Sequence, residues 1–186
     1  MVPAAKFPEP SRATMALAVF KLVAVVAELA KAGVKVLPAT TFVEDHLAGR
    51  GILAGPKPPN HLSSEIAFGW PLAKSVAKLN IGQTLVVRKG TVMAVEGFEG
   101  TDEALRRGGK LGGGEAVAIK VTAPGQDMRF DVPVIGPRTL QAAAEGKLSV
   151  LVVESGKTLI LEMEEVRKLA VRHKITVWGA SGKAGS

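Results

Sequence analysis

The chain is expected to fold as one α/β domain, a mixed β-sheet flanked by helices. Three observations predict it. Capped helical runs alternate with short β-branched runs along the sequence. The 186 residues, 47% of them hydrophobic, suffice for one sizeable core. Lys89-Gly90 separates two β-rich runs, the pattern of a tight hairpin. The folded domain is placed at residues 15–180, between a flexible N-terminal tail at 1–14 and a flexible C-terminal tail at 181–186.

Taken in order, Thr14 is positioned to cap a helix over Met15–Ala32 that Gly33 closes. Lys21, Glu28 and Lys31 interrupt this apolar run, so a buried amphipathic helix is expected rather than a membrane span. Val34–Leu37 reads as a short strand, and Thr41 and Glu44 have capping-box spacing for a short helix. Gly49–Asn60 reads as a loop, and a helix starts at Ser63 or Ser64 and runs to about Leu79. Gln83–Arg88 and Thr91–Glu96 form the hairpin. Thr101 then caps a helix with Asp102 and Glu103 in its first turn, where carboxylates suit the helix dipole. Arg107–Gly114 reads as a glycine-rich loop and Val117–Thr122 as a strand. Pro137 opens a helix that ends at Gly146. Ser149–Val153, Leu159–Leu161 and Ile175–Trp178 are strands, with a helix at Met163–His173.

Composition narrows the chemistry. The chain has no cysteine, so it has neither a disulfide framework nor a thiolate metal site, which fits a reducing cytoplasm. His46, His61 and His173 lack zinc-ligand spacing. Net charge is +7, which attracts anionic partners, but aromatic residues make up only 4% and tyrosine is absent. Single-stranded nucleic-acid binding, which needs stacking platforms, loses weight. Ser155-Gly156-Lys157-Thr158 resembles the end of a phosphate-binding loop, but Leu151 stands where that motif needs glycine, so a turn is expected.

The polar residues that remain gather in two segments. Val92–Arg107 and Val117–Pro137 set Glu96, Glu99, Asp102, Asp127 and Asp131 beside Arg106, Lys120 and Arg129. This combination suits a divalent cation and a phosphate-bearing ligand. Glu99 and Asp102 flank Gly100-Thr101 at a helix start, where N–H groups hold an anion and carboxylates hold a hard cation. In an extended strand, Asp127, Arg129 and Asp131 would share one face, either as part of a site or as a salt-bridged surface row.

Several motifs in order resemble one family. They are Asn80-Ile-Gly-Gln83, Ala94-Val-Glu96-Gly-Phe-Glu99-Gly-Thr-Asp102, and the run from Lys120 through Pro-Gly-Gln-Asp-Met-Arg-Phe-Asp131 to Pro137-x-Thr139. Glu154-x-Gly-Lys-Thr-Leu159 completes the set. Over roughly Ala16 to Gly179 the chain is similar to the C-terminal region of the LpxI family, UDP-2,3-diacylglucosamine pyrophosphatases of lipid A synthesis. The family often has Asp where Asn80 stands. The resemblance implies a cytoplasmic hydrolase, peripheral to the inner membrane and dependent on Mg2+. It implies cleavage of UDP-2,3-diacylglucosamine to diacylglucosamine 1-phosphate and UMP, with no nucleic-acid partner.

Asp131 matches the essential carboxylate, as catalytic residue and metal ligand. Glu99, Asp102 and Asp127 are the further metal candidates. Gln83, Gly100, Thr101, Lys120, Gln126, Arg129 and Thr158 are the substrate-binding candidates. Members of the family carry a further N-terminal domain, so a homo-oligomer or a companion chain bearing that domain is the expected partner. The alternative is a non-catalytic half-domain that binds a nucleotide-sugar or lipid.

Overall fold

The computed structural model describes residues 12–182, with side chains described from residue 22 onwards. The N-terminal and C-terminal tails therefore lie largely outside the described residues. Five helices run over Arg12–Lys31 (α1), Leu62–Lys78 (α2), Thr101–Gly112 (α3), Pro137–Glu145 (α4) and Met163–His173 (α5). The strands are Gly51–Ala54 (β1), Thr84–Arg88 (β2), Thr91–Val95 (β3), Val117–Lys120 (β4), Val134–Ile135 (β5), Val150–Glu154 (β6), Leu159–Ile160 (β7) and Thr176–Ala180 (β8).

Six strands form a mixed sheet in the order β1-β8-β6-β4-β2-β3. β4, β6 and β8 are parallel, and β1, β2 and β3 join antiparallel. β5 and β7 pair parallel in a separate small ribbon. Alternate residues of the central strands point to opposite faces, as the pleat demands. Val86, Ala118, Leu151, Val153 and Val177 join Leu105, Leu140, Ala143 and Val166 in the core under α3, α4 and α5. Leu85, Val87, Val117, Ile119 and Val152 pack against Trp70, Ala73 and Ala77 of α2. Strands covered on both faces read as continuous apolar runs, which is why Val117–Ile119 and Val150–Val153 carry no polar residue.

The hairpin is present as expected. Lys89 and Gly90 take φ of +49° and +68°, both left-handed as a type I′ turn requires. Pro137 opens α4, and α5 matches its expected limits.

Elsewhere the structure corrects the expectation. α1 begins at Arg12, so Thr14 lies inside the helix and is no cap. Leu22, Val23, Val25 and Leu29 are exposed rather than buried, because α2 and α3–α5 already cover both sheet faces. Val34–Leu37 forms no strand. The short helix is a single 3₁₀ turn, Glu44–His46, capped by Val43 rather than Thr41. The 49–60 loop contains β1, which completes the sheet edge against β8. α2 starts at Leu62 behind His61.

The largest correction is at Arg107–Gly114, which is helix as far as Gly112. A Cβ at Gly108 would meet Val86 at 2.6 Å, and one at Gly109 would meet the Gly146 carbonyl oxygen at 2.1 Å. These glycines let α3 lie close on the sheet and on the end of α4. They serve packing, at a cost in helix propensity of about 1 kcal/mol each.

Candidate functional site

The polar residues converge where β4 ends and β2 begins, at the carboxyl edge of the parallel strands. Open α/β sheets place their ligands at that edge. The centre is Lys120, the last residue of β4 and only 6% exposed. Its ammonium donates to Thr101 Oγ1 at 2.9 Å. Burial lowers its pKa below the ordinary lysine range, while the nearby carboxylates Glu96, Asp102 and Asp131 oppose that shift.

Glu96 ties two walls together. It accepts from Thr101 Oγ1 at 3.0 Å and from the Gln83 backbone N–H at 3.3 Å. Gly82 makes this approach possible, since a Cβ there would lie 2.1 Å from the Glu96 carbonyl oxygen. α3 begins beside Lys120, with Gly100 at φ +82° as its cap and Thr101 as its first residue, not the cap expected from sequence. The open N–H groups of that turn and the Lys120 ammonium form an anion-attracting corner.

The 121–133 segment is a loop, not the extended strand expected for Asp127, Arg129 and Asp131. Gln126 holds it in place. Its Oε1 accepts from the Ala123 N–H and from Gln83 Nε2, and its Nε2 donates to the Asp131 carbonyl. Phe130 and Asp131 N–H both close on the Asp127 carbonyl, which makes a turn. Asp131 is thereby delivered to Lys120 with its side chain exposed.

Gln83, Gly100, Thr101, Asp102, Lys120, Gln126 and Asp131 thus come together. The other candidates do not join them as expected. Asp127 is taken up by its own loop, in a bidentate pair with Arg129 at 2.6–3.1 Å. That pair lowers the Asp127 pKa, and the guanidinium also lies over the Phe130 ring. Glu99 is paired with Arg107 at 2.5 Å, which lowers its pKa. Thr158 is fully buried beneath the 47–48 segment, out of a substrate's reach. Among the described residues, no three His, Cys, Asp or Glu side chains gather into a metal-ligand set. The four ligands proposed from sequence therefore form no protein cage for a metal.

Sequence reasoning passed over a second polar cluster on the α2 side of the same edge. Glu154, 5% exposed at the end of β6, accepts from Lys74 Nζ at 2.6 Å, and from Thr122 N–H and Oγ1 at 2.8 Å each. Lys157 adds an ion pair at 2.9 Å. Burial alone would raise the Glu154 pKa, but these partners override it and hold it at about 2. The cluster fixes Thr122, from which the Gln126–Asp131 loop departs. The signal in sequence was Lys74 on the apolar face of α2, four residues after Trp70 and beside Ala73 and Ala77.

The LpxI C-terminal domain model matches residues 49–178, which include every residue of both clusters. The chain is 35% identical over 148 residues to the UDP-2,3-diacylglucosamine pyrophosphatase LpxI of Caulobacter vibrioides. That alignment covers 75% of this chain and 52% of the relative, so the chain spans about half of that protein's length. The match over most of the chain shows that it belongs to the LpxI family, as a C-terminal domain.

Proposed function

We propose that this domain carries the hydrolytic centre of a UDP-2,3-diacylglucosamine pyrophosphatase of lipid A synthesis. It would cleave the diphosphate to release UMP and 2,3-diacylglucosamine 1-phosphate. The observation that carries the proposal is the convergence of Thr101, Glu96, Asp102 and Asp131 on the buried Lys120, within a domain matched to that family.

Each residue has a role in that chemistry. Lys120 and the first turn of α3 attract the diphosphate and offset charge growing on its oxygens. Glu96 holds Thr101, and through it Lys120, in place. Asp131 is exposed beside Lys120 and free of the internal pairing that occupies Asp127, so it orients the attacking water. The donor set is all oxygen, which suits magnesium, and a magnesium ion commonly uses one or two carboxylates, with water and substrate phosphate completing its shell. Asp102 and Asp131 would hold it. The ion would add further charge neutralisation at the phosphates.

A basic chain at net charge +7 also suits a cytoplasmic protein peripheral to an anionic inner-membrane surface, where the lipid substrate resides. Among the described residues no helix is long and apolar enough to cross a membrane. A second wall for so large a substrate would come from self-association or from a companion N-terminal region.

The test is UMP release from UDP-2,3-diacylglucosamine, by the chain alone and with the relative's N-terminal region supplied as a separate chain. Asp131→Asn is expected to abolish turnover while leaving thermal unfolding unchanged. Turnover near the parent level in Asp131→Asn would remove Asp131 from the mechanism. Binding without turnover by the parent under both conditions would favour the non-catalytic half-domain.

A further inference from the structure

A second polar site lies at the opposite end of the sheet. β2 runs antiparallel to β4, so Arg88 and Lys89 lie beyond Val117, at the far end of β4 from Lys120. There His61, Ser64, Glu65, Arg88, Lys89 and Glu115 line a cleft of about 240 Å³. That volume is smaller than drug-sized pockets, which begin at roughly 300 Å³.

Its floor has unmet hydrogen-bonding groups of both kinds. Glu65 is 3% exposed. Its Oε1 accepts from the Lys89 backbone N–H, but its buried Oε2 has no partner. Arg88 donates through its two terminal nitrogens to the Gly112 carbonyl and to Glu115, but its buried Nε has no partner. The start of α2 adds to the imbalance. His61 provides no side-chain cap, and the Ser64 hydroxyl turns back to the His61 carbonyl. Buried polar atoms in folded proteins are nearly always satisfied, so an orphan acceptor and an orphan donor on two residues that line one cleft call for a ligand that offers both.

We propose that this cleft binds a compact zwitterion, a primary ammonium a short carbon spacer away from a carboxylate or phosphate. The ammonium would donate to Glu65 Oε2. The anionic end would accept from Arg88 Nε, from the Lys89 ammonium and from the Ser64 backbone N–H in the first turn of α2, where the helix dipole favours negative charge. An anion alone leaves Glu65 unsatisfied, and a cation alone leaves Arg88 unsatisfied.

Amide chemical shifts of the full chain, titrated with glycine and with O-phosphoethanolamine, test the proposal. Inorganic phosphate and ethanolamine serve as single-ended controls. The expected result is saturable shifts at Ser64, Glu65 and Lys89, with affinity for a zwitterion at least about tenfold above either control. Glu65→Gln keeps an acceptor for the Lys89 N–H but loses the charge, and is expected to weaken binding by about tenfold or more. Lys89→Ala, at an exposed turn, is expected to weaken binding several-fold and covers the case in which Glu65→Gln does not fold. Three results would each overturn the proposal: no saturable shifts with either zwitterion, phosphate binding as tightly as the zwitterions, or unchanged affinity in Lys89→Ala. The first would mean that the cleft holds solvent only.

Discussion

Replacing Glu154 with Gln removes one negative charge from a buried site and keeps an oxygen acceptor and nearly the same shape. The size of the effect follows from the titration of the native carboxyl. Its pKa falls from the ordinary 4.5 to about 2, because Lys74, Thr122 and Lys157 favour the ionised form. At 1.36 kcal/mol per unit, that drop corresponds to about 3 kcal/mol of stability. A depressed carboxyl pKa means that the unfolded chain binds the proton more tightly. The contribution is therefore complete above pH 4.5 and is lost as pH falls toward 2. Lys74 is only half-buried and keeps its hydrogen bonds to the Thr122 carbonyl and hydroxyl, so no separate loss is added for it. Urea unfolding of parent and variant at pH 7, 4 and 2.5 checks this. The stability gap is expected to be about 3 kcal/mol at pH 7 and to shrink to about 1 kcal/mol near pH 2.5. A gap that does not change with pH would refute the electrostatic reasoning and leave shape alone as the cause. No gap at pH 7 would show that the cluster does not stabilise the fold.

Two further outcomes are expected. Asp102→Ala should weaken magnesium or UMP binding in calorimetry, together with a stability loss of about 0.5–2 kcal/mol from the first turn of α3; unchanged binding with lowered stability would leave Asp102 only its place at the helix start. Gly109→Ala should destabilise by about 3 kcal/mol or more in thermal unfolding, because its Cβ would stand 2.1 Å from the Gly146 carbonyl oxygen; a neutral or stabilising result would mean that α3 and α4 shift apart freely.

Local pattern was enough for elements whose signal lies within a few residues. Lys89-Gly90 between β-branched runs specified the hairpin, and Pro137 specified the start of α4, since both act through backbone dihedrals of the residues themselves. The ordered motifs also identified the segments that bring Lys120, Thr101, Asp102 and Asp131 to one corner.

What failed depended on distant atoms. The glycines at 108, 109 and 112 read as loop, because nothing local shows that Val86, Gly146 and Ala116 leave no room for a Cβ. The Asp127-Arg129-Asp131 row read as one strand face, but hydrogen bonding within the loop turned Asp127 onto Arg129 and left Asp131 for Lys120. Glu154 and Lys74 meet across 80 residues, and Glu65 meets Lys89 across 24. By itself the sequence determined the hairpin, the start of α4, the limits of α5, the family and the segments of the site, because turn chemistry, caps and motif order are local properties of the chain. Only the tertiary structure decided which charges neutralise one another and which stay available, because that depends on distances set by sheet register and helix packing.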